Sequence, residues 1–115
     1  MWDEAVRRAV LAAGQSLPSF AAAEERRMFG CWCLFAHGRM VAVVRDDAVI
    51  VRLPREHRAR ALALRGAARF TPRPGMTMRE LVQLPGDVAR SRARLRRWLA
   101  RAFTDAGGRG PHGAR

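Results

Sequence analysis

The sequence predicts an α+β domain with helices packed on an antiparallel sheet, in the order α-β(3)-α-β(2)-α. Three observations predict it. Apolar residues near the N-terminus recur with a helical period at Trp2, Val6, Ala9, Val10 and Ala13. Between Arg27 and Leu53 they run in short alternating or β-branched stretches, separated by His37-Gly38 and Asp46-Asp47. After Asp87 the helical spacing returns with Val88, Leu95, Trp98, Leu99, Ala102 and Phe103.

Each element follows from local chemistry. Trp2–Ala13 forms the first helix; Asp3 or Glu4 complements the positive end of its dipole, and Gly14 stops it. Gln15–Phe20, with Pro18, reads as a loop and Ala21–Arg26 as a short helical turn. Arg27–Ala36 is the first strand, with Phe29, Cys31, Cys33 and Phe35 on one face and Met28, Trp32 and Leu34 on the other with Gly30. Gly30 inside that strand marks a bulge or a close backbone approach, and Met28-Phe29 are expected to pack. His37-Gly38 turns the chain into a second strand, Arg39–Arg45, and Asp46-Asp47 into a third, Ala48–Leu53. Pro54 suits the first turn of a helix over Arg55–Leu64, which ends near Gly66. Ala67–Phe70 is a short strand, Thr71–Met78 with Pro72, Pro74 and Gly75 a loop, and Arg79–Leu84 the last strand. Asp87 caps a single final helix from Val88 to about Thr104.

A length of 115 residues suits one domain, read here as residues 1–106 followed by a disordered Gly/Arg tail over 107–115. Half the chain is apolar, enough for a core. No apolar run is long enough to span a bilayer, and Asp3 and Glu4 argue against a secretory signal, so a cytoplasmic location is expected. Two cysteines are too few for a disulfide scaffold.

The net charge is +12, and all 22 basic residues are arginine. Residues 1–50 balance six arginines against six acids; residues 51–115 hold sixteen arginines and four acids and so carry the whole excess. Codon bias accounts for arginine over lysine, and less well for six arginines within residues 90–101 with no acid among them. Arg90, Arg94, Arg97 and Arg101 recur at helical spacing, with Arg92 and Arg96 beside them, and Arg55 and Arg58 add to the charge from the second helix. Such a stripe suits phosphate backbones without reading bases.

Two blocks carry a resemblance to a known family. Arg26-Arg27-Met28-Phe29-Gly30 resembles the "RRMFG" hallmark of the TfoX (Sxy) N-terminal domain. Met78-Arg79-Glu80-Leu81-Val82-Gln83-Leu84-Pro85 is similar to that family's "M-(K/R)-x-(Y/W/L)-V-x-(V/L)-P" strand; Gly38, Arg52-Leu53, Phe70, Pro72 and Gly75 fit as well. The resemblance covers about residues 24–105. It implies the same α-β(3)-α-β(2)-α order and a link to regulating competence for natural transformation. Full-length TfoX proteins work with a transcription factor of the cyclic-AMP receptor type and carry a second, helical domain. This chain resembles a single-domain member, and Gly30-Cys31 stands where the family usually has Gly-Gly.

Catalytic constellations are weak. Cys31 and Cys33 lie at i, i+2 without further ligands at metal-binding spacing, so buried thiols are expected rather than a metal or redox site. His37 sits in a turn and His57 at a helix start, where the dipole disfavours a charged imidazole. Asp46-Asp47 are adjacent turn residues and do not face each other as an acid-base pair must. No phosphate loop or nucleophile motif is present. The expectation is a non-enzymatic regulatory domain with no cofactor, monomeric or homodimeric, acting through a protein partner. The alternative is a sequence-tolerant nucleic-acid module using its arginine faces.

Overall fold

The computed structural model describes residues 1–108. Helix α1 spans Glu4–Gly14, and Asp3 caps it by accepting from the N–H of Ala5 at 2.8 Å and of Val6 at 3.3 Å. Just before it, Asp3 N–H donates to Asp46 O at 2.7 Å and Asp46 N–H to Met1 O at 2.8 Å, tying the N-terminus to a sheet turn. A 3₁₀ turn, Pro18–Ala22, leads into strands β1 (Ala23–Met28), β2 (Cys31–Ala36), β3 (Arg39–Arg45) and β4 (Ala48–Arg52). Helix α2 (Arg55–Leu62), strands β5 (Ala68–Arg73) and β6 (Met76–Gln83), and helices α3 (Gly86–Ala89) and α4 (Arg92–Gly108) complete the described chain.

The fold class is α+β: one six-stranded antiparallel sheet in the order β1-β2-β3-β4-β6-β5, with helices on one face. That face buries Trp32, Leu34, Val44, Val49 and Val51 against Leu95, Leu99 and Phe103 of α4 and Val10 of α1. The stripe Val88, Leu95, Trp98, Leu99, Ala102 and Phe103 is buried as its spacing requires.

The opposite face is also buried, among the described residues by strand residues alone: Cys31, Cys33, Phe35, Met40, Val43, Ile50, Phe70 and Leu81. Its cover is the distal β5–β6 hairpin. Between the pairs Arg69↔Val82 and Phe70↔Met78, β5 advances one residue while β6 advances four, and this irregularity bends the ribbon. Arg45 of β3 donates Nη1 to Thr71 O at 3.1 Å and to Pro72 O at 3.4 Å, and its guanidinium lies 5.1 Å from the Phe70 ring centre. In a flat sheet β3 and β5 are three strand spacings, roughly 14 Å, apart. That exceeds the reach of an arginine side chain, so the hairpin must fold back over the sheet.

The structure corrects several expectations. The meander has four strands, because Ala21–Arg26 is mostly strand β1 and not a helical turn. The expected strand Arg27–Ala36 is two strands joined at Phe29-Gly30, where both residues have positive φ, 56° and 73°, in a two-residue hairpin turn of the I′ kind. Gly30 is thus a turn glycine and not a bulge, and Met28 and Phe29 are exposed rather than packed. Thr71–Met78 is no loop: it holds the ends of β5 and β6 and a Pro74-Gly75 turn, with Gly75 at φ 80°. The prolines are tolerated because β5 is an edge strand. The single last helix is broken. Pro85 precedes α3, Arg90 ends it, and Ser91 Oγ accepts from Arg94 N–H at 3.3 Å to start α4. The expected tail lies, apart from Gly107 and Gly108 at the end of α4, outside the described residues.

Candidate interaction surfaces

The first motif block, Arg26–Gly30, forms the end of β1 and the turn of the β1–β2 edge hairpin. β1 alternates its side chains: Glu25 and Arg27 face the helices, Arg26 faces the second core. The Glu25 carboxylate accepts from Trp32 Nε1 at 2.9 Å and from Arg7 Nη2 at 2.9 Å and Nε at 3.2 Å. The indole bond, then the Arg7 guanidinium, hold Glu25 below the ordinary carboxylate range. Arg27 lies 5.1 Å over the Trp2 ring, and Arg26 lies 4.4 Å over Phe35 while reaching Glu24 at 3.1 Å.

At the turn, Met28 is 37% exposed and Phe29 is 41% exposed. A bulky residue in the left-handed region is an outlier, since its Cβ crowds the backbone. Arg73, from the folded-back hairpin, approaches the Phe29 ring at 6.0 Å. The hairpin that carries the second block therefore reaches the first: Met78 packs beside the core of Cys31, Cys33 and Leu81, and Arg73 of the same hairpin approaches Phe29. Val82 and Pro85 are buried at the far end of β6, and Gly38 supplies the β2–β3 turn at φ 77°. Sequence reasoning missed Arg45 and Arg73, because their roles depend on the bend in β6.

The arginine stripe is shorter and more engaged than its spacing suggests. Arg90 lies at the end of α3, outside α4. Arg94 pairs with Asp87 at 3.3 Å, Arg101 stacks 4.5 Å over Trp98, and Arg96 Nε donates to Ser16 Oγ at 2.8 Å. Arg92 and Arg97 are exposed. On α2, Arg55 is exposed but Arg58 Nε is turned back to Leu53 O at 2.9 Å. α2 packs on β6, whereas α4 crosses β2, β3 and β4 beside α1, so the two sets of arginines are mounted separately. A half-open groove of about 510 Å³ runs between α1 and the α3–α4 break, lined by Val6, Ala9, Ala89, Leu95, Arg90 and Arg92.

Cys31 and Cys33 are buried free thiols in the second core. Burial pushes both thiols up, Cys33 to about 11, so the reactive thiolate is scarce at neutral pH. No group of three or more His, Cys, Asp or Glu among the described residues is placed to hold a metal. His57 Nδ1 is buried without a partner, and the His37 ring packs against the end of α4 near Gly107. No described helix is long and apolar enough to cross a membrane.

A family model for the TfoX N-terminal domain matches residues 15–106, from just after α1 through most of α4. The chain belongs to the TfoX N-terminal domain family. The comparison with curated proteins returned no match. Family membership places this TfoX N-terminal domain among regulatory, competence-related domains at the level of the family.

Proposed function

We propose that this TfoX N-terminal domain is a non-enzymatic regulatory module that acts by protein–protein contact in transcriptional, competence-related control, through the tip of its β1–β2 hairpin. The observation that carries the reading is Phe29. It is held in a costly backbone conformation and left exposed beside Met28, with Arg73 6.0 Å from its ring. Local strain at an exposed aromatic is better supported by a binding role than by packing. Aromatic, Met and Arg side chains are also the types enriched at interface centres. The test compares capture by the wild-type domain with capture by Met28→Ser/Phe29→Ser, followed by direct titration of the purified partner. A partner whose affinity falls at least tenfold with the double variant supports the reading. Retention of unchanged binding by that variant refutes it.

A second reading, weak binding to nucleic-acid backbones, is favoured by exposed Arg92 and Arg97 and by the absence of any acid from 92 through 104. Fluorescence anisotropy with labelled duplex across a salt series tests it. Backbone binding gives a log–log slope near −0.9 per neutralised phosphate, and reversing Arg90, Arg94, Arg97 and Arg101 to Glu removes it. Binding that survives the reversal refutes this reading.

A further inference from the structure

The geometry points to self-association of this domain through the free edge of β1, as a two-fold dimer of the sheet. β1 is an outermost strand, and five of its six residues, Glu24 to Met28, are exposed. The two-residue turn makes Met28↔Cys31 the hydrogen-bonded pair that closes the hairpin. Alternation along the ladder then directs the backbone groups of Arg26 and Glu24 toward β2. Those of Glu25 and Arg27 point out of the sheet. Among the described residues no hydrogen bond from a turn, loop or side chain reaches the N–H or C=O of Glu25 or Arg27. The Ala23 N–H, by contrast, is already used by Phe20 O.

Unpaired edges invite pairing, and natural proteins blunt them with charged side chains, prolines, bulges or covering elements. Here the strand reads Ala23-Glu24-Glu25-Arg26-Arg27-Met28, with acids in its first half and bases in its second. Antiparallel pairing with an identical strand therefore sets acid against base. The two-fold axis runs normal to the sheet, so paired residues must share a face and a hydrogen-bonding class. Centred on Glu25, the pairing places Glu24 opposite Arg26 of the second copy, and Arg26 opposite its Glu24. Both pairs fall in the close, non-hydrogen-bonded positions, where opposite charges stabilise. Glu25 meets its own copy, but each carboxylate is already bound to Arg7 and Trp32 on the helix face. The outward N–H and C=O of Glu25 pair with those of its own copy, and the Arg27 N–H meets the Ala23 C=O of the second copy, whose N–H stays with Phe20 O. A strand of this length covers less than the ~1,200 Å² of standard interfaces, so the dimer is a weak one that concentration draws out.

The experiment is a charge exchange read by sedimentation equilibrium up to millimolar concentration. Glu24→Arg and Arg26→Glu each place like charges opposite one another, and each is expected to weaken self-association at least tenfold. An equimolar mixture of the two variants restores it, because each strand then meets the opposite sign. Amide exchange at Glu25 and Arg27 is expected to slow with concentration in the wild type and not in either variant alone. Melting curves that match the wild type show that the variants fold. The inference is overturned if the wild type stays monomeric at 1 mM, if the mixture fails to restore association, or if protection appears elsewhere. It stands apart from the hairpin-tip reading, whose Met28→Ser/Phe29→Ser variant leaves Glu24 and Arg26 in place.

Discussion

Arg45→Met probes the folded-back hairpin directly. Methionine keeps most of the aliphatic stem against Phe70 but removes the guanidinium. Lost are one good charged hydrogen bond, to Thr71 O at 3.1 Å, a weaker one to Pro72 O at 3.4 Å, and the contact with the Phe70 ring at 5.1 Å. A hydrogen bond from a charged donor contributes about 1.5–3 kcal/mol and a partly exposed cation–π contact about 0.5–1 kcal/mol. Thr71 and Pro72 are only half-buried, so water satisfies the freed carbonyls and returns part of the loss. The net destabilisation is then about 2 kcal/mol. With an unfolding entropy near 2.1 cal/mol/K per residue, that lowers Tm by roughly 8 °C. Denaturant unfolding gives the magnitude, and amide exchange gives the location. Exchange should speed up over β5, from Thr71 to Arg73, and over the start of β6 before it changes in β2 to β4. A loss under 0.5 kcal/mol, or acceleration spread evenly over the sheet, would show that Arg45 does not hold the hairpin down.

Other perturbations test separate parts of the structure. Asp3→Ala removes the cap of α1 and should cost about 1 kcal/mol in urea unfolding, against no change if water replaces it. Leu99→Ala empties a fully buried site between α4 and the sheet and should cost about 3–5 kcal/mol by the same assay. Cys31 and Cys33 should resist a disulfide reagent at pH 8 in the native state and react at once when unfolded. Because burial raises both thiols, the stability they favour is full below their ordinary ionisation near ~8.5. It falls as pH rises toward about 11, the value for Cys33. Glu25 has the opposite sign: its depressed carboxyl contributes stability above the ordinary glutamate range that is lost as pH falls through its lower folded value. The Trp32 indole proton should report this with a midpoint below ~4.3, and a midpoint at or above that value would refute the bond to Glu25.

How far the sequence could be read depended on whether a local signal carried the feature. The stripe of α4, the turns at His37-Gly38 and Asp46-Asp47, and the alternation of Cys31, Trp32, Cys33 and Leu34 are short-range signals, and each placed its element. β1 has no such signal: as an edge strand it is solvated on most positions, so its residues show no apolar alternation. The turn at Phe29-Gly30 was hidden for a different reason. A reader expects Asn or Asp before glycine in a hairpin of this kind, and Phe29 occupies a conformation that its own side chain disfavours. The break at Arg90-Ser91 was masked because Val88 and Leu95 keep one apolar face across it.

The candidate site illustrates the same limit at longer range. The two motif blocks are separated by almost fifty residues, and nothing in either names the other. Their link is physical: the sheet has a second apolar face that no described helix covers, so burial of Cys31, Val43 and Ile50 requires another element. From β5 and β6, Phe70, Met78 and Leu81 join that core, and reaching that face requires the bend in β6. Once the ribbon bends, Arg45 and Arg73 are carried to Phe70 and Phe29 as a consequence. The position of Arg73 beside the exposed aromatic is therefore set by the need to cover a second core, which ties the surface to the packing beneath it. A substitution that loosens that core, such as Phe70→Ala, should disturb the Phe29 tip without touching it.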